Sequence, residues 1–150
     1  MDTTTLIRLL VLLFVLLILG VWIAYLSFIS RVLKKCTAGR TMEPGMVWLG
    51  LIPLFHLVWN FFIVPAVTRS LYNEFRARQI PLDNPEPGGA LGIAMCVFAV
   101  CGAVPLVNVL ASPAHLIVWI LYWVKIAGYS RQLDRVPSPT VVQGYYPSAS

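Results

Sequence analysis

His56, Asn60, Asn108 and His115 are the side chains whose type and placement could carry chemistry. Each lies inside or beside an apolar run, where hydrogen-bonding and ionisable groups are costly and often functional. His56 and Asn60 stand four residues apart, so a helix sets both on one face. From there they can hydrogen-bond to a neighbouring helix or hold a polar solute. The competing role is local, since Pro53 frees backbone carbonyls that these two groups could satisfy. His56, Asn60 and Asn108 make up the candidate intramembrane polar site. His115 falls near the outer end of its run, where an exposed imidazole needs no task.

Catalysis is not expected. The six acids are Asp2, Glu43, Glu74, Asp83, Glu86 and Asp134, and none lies within an apolar run. There is no paired carboxylate at depth, no nucleophile beside a base, no metalloprotease helix motif and no phosphate-cradling glycine loop. A haem between His56 and His115 would join two unrelated segments, so no cofactor is expected. Cys36, Cys96 and Cys101 show neither disulfide nor metal spacing. Cys96 and Cys101 read as small apolar fillers. Cys36 follows Lys34 and Lys35, whose charge could lower its pKa, but a free thiol of no consequence is the reading favoured over a reactive one.

The elements that must position these groups are set by composition. Apolar residues make up 59% of the 150-residue chain and charged residues 11%. A soluble domain is nearer half apolar and a quarter charged, so lipid is the expected solvent. Eleven Lys and Arg face six acids. They cluster beside the apolar runs, which points to membrane orientation and anionic lipid rather than nucleic acid.

Four hydrophobic segments follow, at about 6–30, 46–67, 90–110 and 114–130, in an all-α membrane domain covering 1–136. From Leu9 to Ser30 there is no charge, about 33 Å of helix. A signal peptide would have a more basic start, a shorter apolar region and a cleavage site, so this segment reads as an uncleaved crossing. Trp22 and Tyr25, then Arg31 to Arg40, mark its cytoplasmic end. Leu71 and Phe75 share a helix face, while Glu74 and Arg78 can pair on a solvated one. The 80–89 stretch is a Pro- and Gly-rich linker. In the third segment Gly88, Gly92, Ala99 and Gly102 form a candidate helix-packing face. A turn is expected over Asn108 to Pro113. Trp119, Tyr122, Trp123 and Tyr129 then make an interfacial belt. The tail, 137–150, reads as disordered and cytoplasmic.

Basic clusters in both loops and at the C-terminus all claim the cytoplasm. A re-entrant second segment, turning at Pro53, places them together, whereas a Pro53-kinked crossing does not. A short repeat favours the first. Gly50–Val58 reads GLIPLFHLV and Gly102–Leu110 reads GAVPLVNVL, so Gly, Pro and Leu recur in register. Against it, Met46 to Pro53 is too short to cross, and re-entrant backbone must be covered by protein. Both threadings stand open.

Trp48, Ile52, Pro53, His56, Trp59 and Glu74 together resemble an uncharacterised family of small multi-pass bacterial membrane proteins. His56 departs from its usual Asn. The resemblance spans about Pro44 to Leu133, and the ending WILYWVKIAGYSRQL is part of it. It implies a bacterial inner membrane and no activity. The function expected is a non-catalytic membrane subunit or scaffold, meeting lipid, other membrane proteins or further copies of itself. The second expectation is a conduit for a small solute or ion, using the broken segment around Pro53 and His56.

Overall fold

A computed structural model describes residues 2–137, and its regular elements are all helices. Helix α1 spans Thr3–Lys35. A 3₁₀ helix at Pro44–Leu51 leads into α2, Pro53–Ala77. Helix α3 spans Gly89–Cys101 and α4 spans Pro105–Arg135. Of the expected tail, 138–150 lie outside the described residues.

Helix α1 has two physical characters. Between Leu6 and Leu19 its apolar side chains are 44–65% exposed. From Tyr25 on it enters the core, where Leu26, Ile29, Val32 and Leu33 are buried. Lys34 and Lys35 close its last turn, where positive charge complements the helix dipole.

The expected 46–67 segment is two elements. Proline pushes the residue before it into extended backbone, and Ile52 has φ −75° and ψ 119°. Pro53 then takes the first helical position, where a missing N–H costs nothing. It starts a helix rather than kinking one. The 3₁₀ helix of eight residues is about 16 Å long. It runs beside α2 in the opposite sense: Thr41 N donates to Ser70 Oγ at 3.0 Å, and Trp59 Nε1 to Met46 O at 2.9 Å. Trp22 Nε1 reaches Gly50 O at 3.4 Å from α1. Two indoles thus tie the 3₁₀ backbone between α1 and α2.

The same device builds the second turn, and it corrects the expected one. Helix α3 ends at Cys101, and Val104, with φ −91° and ψ 119°, precedes Pro105 at the start of α4. The turn is therefore at Gly102–Val104, not Asn108–Pro113, and Pro113 sits inside α4. The repeat is structural in this respect. His56 N donates to Ile52 O and Asn108 N to Val104 O, each at 2.9 Å, so His56 and Asn108 occupy equivalent places in the first turns of α2 and α4.

The helices pack with α3 between α2 and α4, and α1 across α2 and α4. Tyr25, Leu26 and Ile29 meet Ile63, Val67, Tyr122 and Ile126 in one core, which also takes Leu71 and Phe75 on their shared face. One member of the aromatic belt is corrected: Tyr122 is fully buried, like Tyr25, while Trp119, Trp123 and Tyr129 are half-buried, and the Tyr25 ring packs on Trp119 and Trp123 at 5.3 and 5.8 Å between centroids. These rings fill the interior because their bulk is needed where α1 meets α4.

The small-residue face is divided by the ends of α3. Gly88 precedes α3 with φ +80°, a conformation that side chains rarely adopt. Gly102 caps the other end of α3. Gly92 makes the closest approach of the three glycines, since a Cβ there would lie 2.3 Å from Val64 Cγ1 and 3.0 Å from Tyr122 Cε2, and a Cβ at Gly88 would lie 2.9 Å from Ile126 Cδ1 on α4.

Candidate functional site

The start of α4 presents Asn108, Ser112 and His115 along one face, at spacings of four and three. The start of α2 brings His56 to the same place. Together with Ala99 and Gly102 of the α3 end, they line a cavity of about 280 Å³. Ser112 Oγ donates to Asn108 Oδ1. The His115 Nδ1 lies 3.1 Å from Met95 O, so a ring N–H donated there fixes the tautomer. His115 is half-buried and bonded across to α3, not an exposed surface imidazole.

His56 stands edge-on to the Trp22 ring, with centroids 4.3 Å apart. Its Nε2 is buried and has no hydrogen-bond partner among the described residues. It does not satisfy carbonyls freed by Pro53, because a proline at the first helical position frees none within α2. Asn60 lies one turn further along α2, 3% exposed, with Oδ1 unpartnered. Of the three expected site residues, the fold brings His56 and Asn108 to one cavity and leaves Asn60 in the core below it. The cavity holds amide, hydroxyl and imidazole groups and no carboxylate, so it can bind a polar solute or water. No group of three metal-ligating side chains occurs among the described residues.

A second polar cluster lies at the other end of the bundle, and sequence reasoning misplaced it. Glu74 is fully buried and Arg78 nearly so, with Arg78 Nη2 2.8 Å from Glu74 Oε1. This is no solvated pair. The guanidinium also donates to Leu133 O at 2.7 Å, to Lys35 O at 3.0 Å and to Val136 O. Glu74 Oε2 accepts Ala38 N–H at 2.7 Å. One Arg78 side chain therefore satisfies orphan carbonyls at the C-terminal ends of α1 and α4 from the end of α2. Lys35 adds a second tie, with Nζ 2.8 Å from both Ser130 Oγ and Asp134. The i,i+4 spacing beside buried Leu71 and Phe75 was the available signal. The partners were not, being main-chain carbonyls far away in sequence.

Beside this cluster, Cys36 agrees with the favoured reading of an unreactive thiol. Burial, and then the Glu74 carboxylate, push its thiol up to about 12, against the opposing pull of Arg78 and Arg40. The neighbouring lysines do not activate it, because the thiol sits in the core.

Helices α1 and α4 are long and apolar enough to cross a membrane. No family model, curated protein or solved structure matches the chain.

Proposed function

We propose that this chain is a multi-pass protein of a bacterial inner membrane, acting as a non-catalytic membrane subunit or scaffold. The observation that carries the reading is the bare stretch of α1: more than three turns of apolar side chains are exposed around the helix from Leu6 to Leu19. A soluble core helix would bury such a surface. A cleaved signal sequence would not place Tyr25, Ile29 and Leu33 in the core of the folded domain. Lipid covers the bare stretch, and a partner helix docks within that cover. In this threading α1 and α4 cross, while the 3₁₀ helix and α2 form a hairpin that enters and returns on the Arg78 side. Both Pro-started turns then point outward, and the C-terminal end of α4 is cytoplasmic. The resemblance carried by Trp48, Ile52, Pro53 and Trp59 agrees with that setting.

The test is photo-crosslinking from Phe14 in native membranes. The expected result is a discrete polypeptide adduct beside lipid adducts, together with resistance to alkaline extraction. Lipid adducts alone would contradict a scaffold role. The cavity at His56 and Asn108 favours a second reading, a conduit for a small polar solute. Solute flux into proteoliposomes that is lost in His56→Ala would support it, and absence of flux would remove it.

A further inference from the structure

The cavity lined by His56, Asn108, Ser112 and His115 has an apolar neighbour. This second cavity, about 350 Å³, lies between α1 and α4, with Leu17, Ile18 and Val21 on one side and Trp119 on the other. His115 and Leu116 line both, so the two meet at the His115 ring. A polar cavity joined to an apolar groove describes an amphiphile rather than a free solute. Three features define its head. First, neither cavity is lined by Asp, Glu, Lys or Arg. Second, Asn108, Ser112 and His115 descend α4 to about 5, 11 and 15 Å from Pro105. In the proposed threading His115 therefore lies within the hydrocarbon, below the level of phospholipid headgroups. Third, the site both accepts and donates. His115 donates its Nδ1–H to Met95 O, so Nε2 is left as an acceptor, accessible and without a partner among the described residues. The Ser112 hydroxyl donates to Asn108 Oδ1, and the Asn108 amide keeps its N–H groups to donate. His56 is a wall only, because its Nε2 is buried and its ring stands edge-on to Trp22.

We propose that the two joined cavities bind a hydroquinone carrying one apolar chain. One ring hydroxyl donates to His115 Nε2 and accepts from the Asn108 amide. The ring lies in the polar cavity against Phe98, and the chain leaves along the groove between α1 and Trp119. A phosphate headgroup fits less well, since no cation lines either cavity and the site lies at hydrocarbon depth. A diacyl lipid brings two chains to one groove. The oxidised quinone has no hydrogen to give His115 Nε2. The site binds and holds its ligand with no electron transfer, in keeping with a non-catalytic subunit. It rests on the membrane reading, and its test is kept separable from it.

The experiment uses the full chain in detergent without oxygen, with one-to-one binding read by native mass spectrometry. The probes are decylhydroquinone, decylquinone, unsubstituted hydroquinone, decyl phosphate and dioctanoylglycerol. Decylhydroquinone is expected to bind about tenfold more tightly than each of the others, the worth of one hydrogen bond or more. His115→Leu and Asn108→Leu each weaken it by about the same factor. Ile18→Trp fills the groove from a position that is 51% exposed, so the core is left intact. It removes the advantage of decylhydroquinone over unsubstituted hydroquinone, a change of specificity that general loss of packing would not produce. Equally tight decyl phosphate or dioctanoylglycerol, unchanged binding in His115→Leu, or an unchanged chain preference in Ile18→Trp would each overturn the site. Alkaline extraction of native membranes tests the membrane reading by itself, so the two failures are distinguishable.

Discussion

Arg78 shows how much one side chain can organise here. Its guanidinium meets the buried Glu74 carboxylate and carbonyls from the ends of two other helices. A buried ion pair adds little net stability relative to well-packed apolar residues, yet breaking one leaves an uncompensated charge. Arg78→Ala should therefore cost about 3–5 kcal/mol, read as loss of the folded fraction on denaturant titration in detergent micelles. The double variant Glu74→Leu with Arg78→Met should be milder than Arg78→Ala alone, since it removes both charges. A double variant as unstable as the single would show that the carbonyl contacts, not the charge, dominate. Sequence made the Glu74–Arg78 pairing legible through its spacing, but not its burial. A helix end with two charges looks solvated until the carbonyls it reaches are known.

At the scale of elements, two short Pro-led turns decide the architecture. The repeat around Pro53 and Pro105 was readable, and so was the existence of each apolar run. Boundaries were not, because apolar residues in this chain serve both exposed and core-facing surfaces. The turn was expected at Asn108–Pro113 from its polar residues. Instead, Asn108 and Ser112 bond each other within α4, and the helix runs through them. The small-residue face was legible in part: spacing shows which residues share a face only while the helix continues, and Gly88, though it packs against Ile126, lies before α3 begins. Within α3, Gly92 makes the close approach. Gly92→Ala should destabilise by about 1–3 kcal/mol, since its Cβ would overlap Val64. Gly20→Ala is the control, because nothing lies within 4 Å of the added Cβ. The same micelle titration should find it neutral or slightly stabilising. Equal effects of the two would mean that α2 and α3 do not pack closely at Gly92.

For the whole molecule, the C-terminal ends of α1, α2 and α4 meet at one end of the bundle around Arg78. That convergence agrees with the charge bias along the chain, in which Arg31–Arg40, Arg69–Arg78 and Arg131–Arg135 are the basic clusters. A simple crossing by the 46–67 stretch would separate those ends by a bilayer, which a single arginine side chain cannot span. In the proposed threading, charge favours the hairpin and the shortness of its first limb counts against it. The objection is met by packing. Trp22 and Trp59 hold the short 3₁₀ limb against α1 and α2, so its main chain is covered on those sides.

The most direct measurement is sided labelling of single cysteines, introduced at Thr5, Arg40, Arg76 and Arg131 in a chain lacking Cys36, Cys96 and Cys101, in sealed membrane vesicles of known orientation. The account predicts that Arg40, Arg76 and Arg131 positions all label from one side and Thr5 from the other. Labelling of the Arg76 position from the Thr5 side would contradict it.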